Sequence, residues 1–129
     1  MNLRQYVSEQ VRMLSTPSAE NAFCNLQRLT PTVIPELVEE FWNAKNPSVR
    51  AELVNVIWQF REKSTVEFLI EIMDDVHDQV WMNALDGLVT IGSTEVIQQL
   101  YNLAATLNPD DIRGAWIMEA IEQITEALQ

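Results

Sequence analysis

The stretch Asn46–Phe60, NPSVRAELVNVIWQF, decides the fold of this chain because its pattern of apolar and polar residues occurs three times. Its apolar residues recur at intervals of three and four, which is the spacing of one buried face on a helix. The residues on that face are Val49, Leu53, Ile57 and Phe60. We predict a helix that is entered through the capping sequence Asn46-Pro47-Ser48 and ends near Glu62.

Two further copies of this pattern follow at almost constant distances. The second copy, DQVWMNALDGLVTI, repeats the face at one uniform offset with Val80, Ala84, Leu88 and Ile91. The third copy, DDIRGAWIMEAIEQI, follows at an offset only one residue longer and carries Ile112, Trp116 and Ala120, with Ile124 one helical step beyond. A helical unit that returns at a nearly fixed period predicts stacked hairpins, because one hairpin cannot bury its apolar face alone.

Apolar spacing along the rest of the chain predicts eight helices in four pairs. We expect an all-α protein, a right-handed superhelix of about four stacked hairpins, because β-branched residues do not alternate with polar ones as they would in strands. The predicted pairs occupy residues 1–30, 31–63, 64–92 and 93–129 of a single domain. The first pair lacks the repeated pattern and is predicted to cap the stack. A compact eight-helix globule is the alternative.

Composition argues against several classes of partner. Nineteen acidic and eight basic residues give a net charge of -11, which repels phosphate backbones and anionic lipid headgroups, so neither nucleic acid nor a membrane is expected as a partner. No apolar run approaches the roughly 20 residues of a membrane span, and no signal segment is recognisable, so a soluble cytoplasmic protein is expected. The acidity is interpreted either as a means of staying soluble or as attraction for a basic partner.

Residues suited to catalysis are few. The only histidine, His77, lies in the turn Asp74-Asp75-Val76-His77-Asp78, where its spacing from the carboxylates matches no standard metal site. The single cysteine, Cys24, is interpreted as a small buried apolar residue, and sequence gives no reason to bring it close to His77. We expect no catalytic residue, no cofactor and no metal, and therefore a protein that is not an enzyme.

Aromatic and acidic residues together predict a protein-binding surface. Trp58 and Trp81 lie beside the apolar faces of their helices and are predicted to reach the inner face of the stack, whereas Trp116 is predicted to lie in the core and Trp42 to pack near a turn. The predicted partner-binding residues are Glu52, Asn55, Trp58, Glu62, Asp74, Asp75, Asp78, Trp81, Asn83, Asp86, Asp111 and Glu119. The alternative is that both indoles wedge between hairpins and that the acidic residues are merely solvated.

The segments NPSVRAEL, HDQVWMNAL and PDDIRGAW resemble the turn and second helix of HEAT-like repeats, over roughly residues 31–128. In that family a Val-Arg pair opens the second helix, and the second helices line the inner curve. The matching pairs are Val49-Arg50 and Ile112-Arg113, whereas the middle copy departs from the pattern with Trp81 in place of arginine. The resemblance implies a scaffold whose main use is to bind other proteins.

A small, strongly acidic solenoid also looks like a bacterial immunity protein, which neutralises a cationic toxin domain, often a nuclease. This likeness is one of type and implies a basic protein partner, a cognate toxin domain. Short HEAT-like proteins that resemble pigment-attaching lyase subunits provide an alternative, an enzyme whose only nucleophile would be Cys24. An assembly adaptor that binds a peptide or a helix is the third interpretation.

Overall fold

The computed structural model describes all 129 residues, Met1–Gln129, and contains eight α-helices and no strand. The helices are α1 (Leu3–Met13), α2 (Ala19–Gln27), α3 (Ile34–Asn43), α4 (Pro47–Gln59), α5 (Val66–Glu71), α6 (Asp78–Ile91), α7 (Thr94–Thr106) and α8 (Ile112–Ala127). Short 3₁₀ turns lie at Pro31–Val33, Lys63–Thr65 and Ile72–Asp74. None of the helices combines the length and the apolarity that a membrane span requires.

The helices pair into four hairpins that stack in two rows. Within the hairpins α1 packs on α2, α3 on α4, α5 on α6 and α7 on α8. Between hairpins α2 contacts α4, α4 contacts α6 and α6 contacts α8, while α1 contacts α3 and α5 contacts α7. Extensive contacts therefore join only helices one or two places apart, as in a solenoid and not in a closed globule. The predicted all-α stack of helical hairpins is confirmed, whereas its division at residues 30, 63 and 92 stays a prediction.

Capping side chains set where several helices begin. The side chain of Asn46 accepts a hydrogen bond from the Ser48 N–H at 2.9 Å, and Pro47 occupies the first turn, where a missing N–H costs nothing. Asp111 caps α8 in the same way, through the N–H of Arg113 at 3.0 Å. Gly92 ends α6 with a φ of 44°, a left-handed conformation that favours glycine.

The core runs along α4 and α6, and the first two copies of the repeated pattern supply it as predicted. Leu53, Ile57, Val80 and Leu88 are fully buried. Phe60 and Ile91, at the ends of the two faces, are partly buried against this core. Helix α6 is therefore covered by α4 on one side and by α8 on the other.

The prediction for the third copy is wrong for Ile112 and Trp116, which are 67% and 42% exposed. The buried residues of α8 are Ile117, Ala120, Ile121 and Ile124. Ala120 and Ile124 are buried as predicted, whereas the core position that corresponds to Ala84 is occupied by Ile117, one residue after Trp116. The cause is a longer turn, because residues 107–111 separate α7 from α8, whereas residues 75–77 precede α6. A shift of one residue rotates a helical face by about 100°.

Candidate functional site

Arg50 fixes the turn before α6 from the side of α4. Its Nη1 donates to Asp75 Oδ2 at 2.7 Å, its Nε donates to the Phe41 carbonyl at 3.5 Å, and its guanidinium carbon lies 4.3 Å from the centre of the Phe41 ring. The side chain of Asp75 is only 9% exposed. Burial alone would raise the pKa of Asp75, but hydrogen bonds from the His77 backbone N–H and from Arg50 hold this pKa below its ordinary value.

Arg113 holds the same turn from the side of α8. Its Nη2 donates to Asp111 Oδ2 at 2.5 Å, and its Nη1 donates to the Met73 carbonyl at 2.8 Å. Hydrogen bonds from the Arg113 side chain, and then from its backbone N–H, lower the pKa of Asp111 to about 2. Asp74 Oδ1 lies 3.8 Å from Nη1 of Arg113, but the Asp74 side chain is 91% exposed, so water screens this pair.

A cleft of about 400 Å³ opens between the turn before α6 and the start of α8, and we call it the turn cleft. Its lining residues are Asp74, Asp75, Val76, Asp78, Trp81, Asp111, Ile112 and Arg113. Val76 is 87% exposed, and with Ile112 it places aliphatic surface beside carboxylates. Such a surface can make apolar contacts with a protein and pair with its cations at the rim.

The prediction that Trp81 reaches the inner face is wrong, because Trp81 is 3% exposed. Its indole N–H donates to Asp78 Oδ1 at 3.1 Å, and its ring packs edge-to-face on Trp116 with 5.9 Å between ring centres. Trp116 is the more accessible indole of this pair, although the sequence placed it in the core. Trp81 therefore forms the floor of the turn cleft, and Trp116 is available to a partner.

Trp58 wedges between two helices, as the alternative interpretation stated. It is half-buried and lies so close to Gly87 of α6 that a Cβ at residue 87 would be 2.6 Å from the Trp58 Cβ. Its indole N–H donates to Asn55 Oδ1 at 2.9 Å. Trp42, predicted to pack near a turn, does pack edge-to-face on Phe68 but remains half-exposed.

The other predicted site residues do not form one surface. Asn83 is buried, and it donates to the Ala51 carbonyl at 3.0 Å, so it joins α6 to α4 and is not accessible to a partner. Glu62 borders a different groove, with Pro31 and Val38. The exposed residues outside the turn cleft are Glu52 on α4, Asp86 on α6 and Glu119 on α8. That the accessible residues bind a partner stays a prediction.

The charge of the protein is concentrated in its second half. Residues 1–63 contain seven basic and seven acidic residues, whereas residues 64–129 contain twelve acidic residues and one basic residue, Arg113. Because Arg113 is engaged by Asp111 and the Met73 carbonyl, helices α5–α8 present no free cation. A count of charges by segment would have found this asymmetry in the sequence. The exposed Ile112 and Trp116 were missed because their exposure depends on the register of α8, and Val76 was missed because it lies in the turn before α6, outside any helical face.

His77 and Cys24 lie in different hairpins. His77 Nδ1 is 3.2 Å from Asp75 Oδ1, and no group of three or more His, Cys, Asp or Glu side chains is placed to hold a metal ion. Cys24 was expected to be buried, but it is exposed on α2 and makes no side-chain hydrogen bond. The apolar face of α2 is instead supplied by Ala22 and Leu26, because the helix turns Cys24 outward.

Replacing Asp111 with asparagine should make stability less sensitive to acid. Asparagine caps a helix about as well as aspartate, so the variant removes the charge and keeps the cap. A carboxyl with a lowered folded-state pKa contributes stability above its ordinary pKa of 3.8 and loses it as the pH falls through about 2. Urea midpoints should therefore fall less between about pH 5 and pH 2 for Asp111→Asn than for the wild type. Equal falls would contradict the lowered pKa.

The family comparison agrees with this architecture. A family model for HEAT repeats matches residues 34–121, from the start of α3 into α8. No curated protein matches the chain. The match covers more than half of the chain and includes the helices that frame the turn cleft. The hairpin stack and this match together establish that the chain belongs to the HEAT repeat family.

Proposed function

We propose that this protein is a non-catalytic binding module that docks a basic protein on its acidic half, α5–α8, and that the partner is a toxin domain which it neutralises. HEAT repeats generally mediate protein–protein interaction, because stacked hairpins expose a long continuous surface.

The observation that carries the proposal is the uneven charge. Twelve acidic residues and a single engaged arginine lie in the segment 64–129, while the segment 1–63 is balanced. An asymmetric negative field attracts cationic proteins toward one side of the molecule and raises their rate of association. Charge that served only to keep the protein soluble would have no need to be confined to one half.

The turn cleft supplies the short-range contacts of the proposed complex. Val76 and Ile112 are exposed beside the carboxylates of the cleft, and Trp116 is exposed one helical turn after Ile112. Tryptophan is among the residues that most often dominate binding energy. Asp86 adds a further acceptor on α6. Asp86 is accessible, but partial burial raises its pKa and no basic residue pairs with it. A cation from a partner would therefore stabilise a carboxylate that is uncompensated in the free protein.

A toxin that cleaves nucleic acid is a suitable partner on chemical grounds. Such an enzyme must present a cationic surface to bind phosphates. An acidic protein that covers this surface competes directly with the nucleic acid, whether or not it reaches the catalytic residues. Inhibition therefore requires no catalytic group in the inhibitor.

Charge reversal in the turn region should slow association with the toxin domain encoded beside the gene for this protein. The double variant Asp74→Lys/Asp110→Lys should lower the association rate constant by about tenfold at low salt, because both side chains are exposed and face the approaching cation. The wild-type rate constant should fall with added salt. Stopped-flow fluorescence of the tryptophans would measure both effects.

The control is Glu9→Lys/Glu20→Lys, which changes the net charge equally but lies in the balanced half. This variant should associate at nearly the wild-type rate. Equal slowing by both double variants would contradict a localised acidic site. The absence of a basic toxin domain encoded beside the gene, or failure of the purified domain to bind at low salt, would contradict the immunity role.

A further inference from the structure

A second surface of the acidic half is a groove between α7 and α8. The groove has a volume of about 670 Å³, and its lining includes Tyr101, Met118, Glu119, Glu122 and Glu126. Tyr101 and Met118 supply half-exposed apolar surface to it. Trp116 packs against Trp81 of α6. Met118 lies two residues further along α8 and points about 200° away from Trp116, so the groove lies on the far side of α8 from α6.

All the charged residues that line this groove are acidic. Glu119, Glu122 and Glu126 are separated by three and four residues, so they form one line along α8. Helix α7 contains no basic residue, and the only one on α8, Arg113, is engaged by Asp111 at the start of the helix. The groove therefore combines an apolar floor with a row of carboxylates that no cation of this chain neutralises.

The position of the groove in the stack is one that suits a helix. In the preceding hairpins this side is covered by helices of the next hairpin, because α6 lies against α4, α7 against α5 and α8 against α6. The groove is the corresponding side of the α7–α8 hairpin and is uncovered within this chain. An amphipathic helix fits such a groove by placing residues at positions i, i+3 or i+4, and i+7 along its floor.

We infer that the α7–α8 groove binds an amphipathic helix of the basic partner, whose apolar residues contact Tyr101 and Met118 and whose lysines or arginines face the three glutamates. This inference rests on the proposed function, because it takes the partner to be basic. A symmetric second copy of this chain is disfavoured as the occupant, because pairing would bring two rows of three glutamates together without a cation between them.

The test uses a fluorescent synthetic peptide of about 18 residues, five helical turns, built from leucine and lysine with one apolar face. Its binding is measured by fluorescence anisotropy against a scrambled peptide of the same composition. The amphipathic peptide should bind about tenfold more tightly than the scrambled one, because only the former aligns its leucines with the groove floor. Met118→Lys and Glu122→Lys should each weaken that binding about tenfold.

The matched control is Leu3→Lys, which introduces a lysine at a similarly exposed apolar residue on α1. This variant should leave the peptide affinity unchanged, and all three variants should keep the wild-type urea midpoint because the replaced side chains are exposed. Equal affinities for the two peptides, or equal losses for the variants on α1 and α8, would overturn the groove assignment. That result would leave the basic-partner proposal standing, because the toxin-domain experiment tests it separately. A dimer in sedimentation that Met118→Lys dissociates would assign the groove to a second copy and also overturn it.

Discussion

Replacing Gly87 with alanine should destabilise the protein by about 2 kcal/mol, although alanine ordinarily stabilises a helix relative to glycine by about 1 kcal/mol. A Cβ on residue 87 would lie 2.6 Å from both Cβ and Cγ of Trp58 and 2.9 Å from its Cδ1. Both Cβ atoms are fixed by their backbones, so α4 and α6 would have to separate where the core is most continuous. The free energy of unfolding in urea, measured with circular dichroism, gives the sign directly.

Gly114→Ala is the matched control for this prediction. Gly114 also lies within a helix, but a Cβ there would have no atom within 4 Å. This substitution should stabilise the protein by about 0.5–1 kcal/mol, because alanine restricts the unfolded chain and favours the helix. Opposite signs for the two variants are therefore expected. If Gly87→Ala also proved stabilising, the close approach of α4 and α6 at Trp58 would be wrong.

Replacing Arg50 with alanine should cost about 3 kcal/mol of stability, because it leaves a shielded carboxylate without its cation. Asp75 would keep the His77 N–H as a donor but lose the bond of 2.7 Å to Arg50, and the Phe41 carbonyl would lose its contact with the guanidinium. The double variant Arg50→Met/Asp75→Asn should recover part of this loss, because it removes the unpaired charge together with its partner. Urea unfolding of the three proteins measures the effect.

Arg4→Ala tests whether burial is the reason for the loss. Arg4 also pairs with a carboxylate, that of Glu39 at 3.0 Å, but the two side chains are 62% and 49% exposed. Water screens such a pair, so the urea midpoint of Arg4→Ala should stay close to that of the wild type. A similar decrease for both arginine variants would mean that shielding of the Arg50–Asp75 pair does not determine its contribution.

The helices and their pairing were predictable because the apolar spacing of each segment reports its buried face locally. In the first two copies, Leu53, Ile57, Ala84 and Leu88 lie in the core as the periodicity indicated. The same reasoning failed for Trp116, because the α7–α8 turn is longer than the turn before α6 and the face of α8 is rotated. Apolar spacing alone did not show which of two overlapping faces of α8 would be buried against the neighbouring helices.

The candidate site was predictable only in part. Five of the predicted residues, Asp74, Asp75, Asp78, Trp81 and Asp111, do line one cleft, since all lie near the turn or the start of a second helix. Their accessibility was not predictable from sequence. Trp81 is buried because α8 places Trp116 over it, and Asp75 is shielded because Arg50, 25 residues earlier in the chain, reaches it across the hairpin boundary.

By itself, the sequence determined the helical hairpins and their near-constant period, the strongly acidic composition, and the confinement of that acidity to residues 64–129, because these properties depend on residue type and local spacing. Only the tertiary structure decided which acidic residues are engaged by the two arginines and which apolar residues remain exposed. The physical reason is that the exposure of a side chain depends on the helix of the next hairpin that packs against it, and that helix is distant in sequence. Arg113 reaches the Met73 carbonyl across 40 residues, a contact that no local pattern encodes.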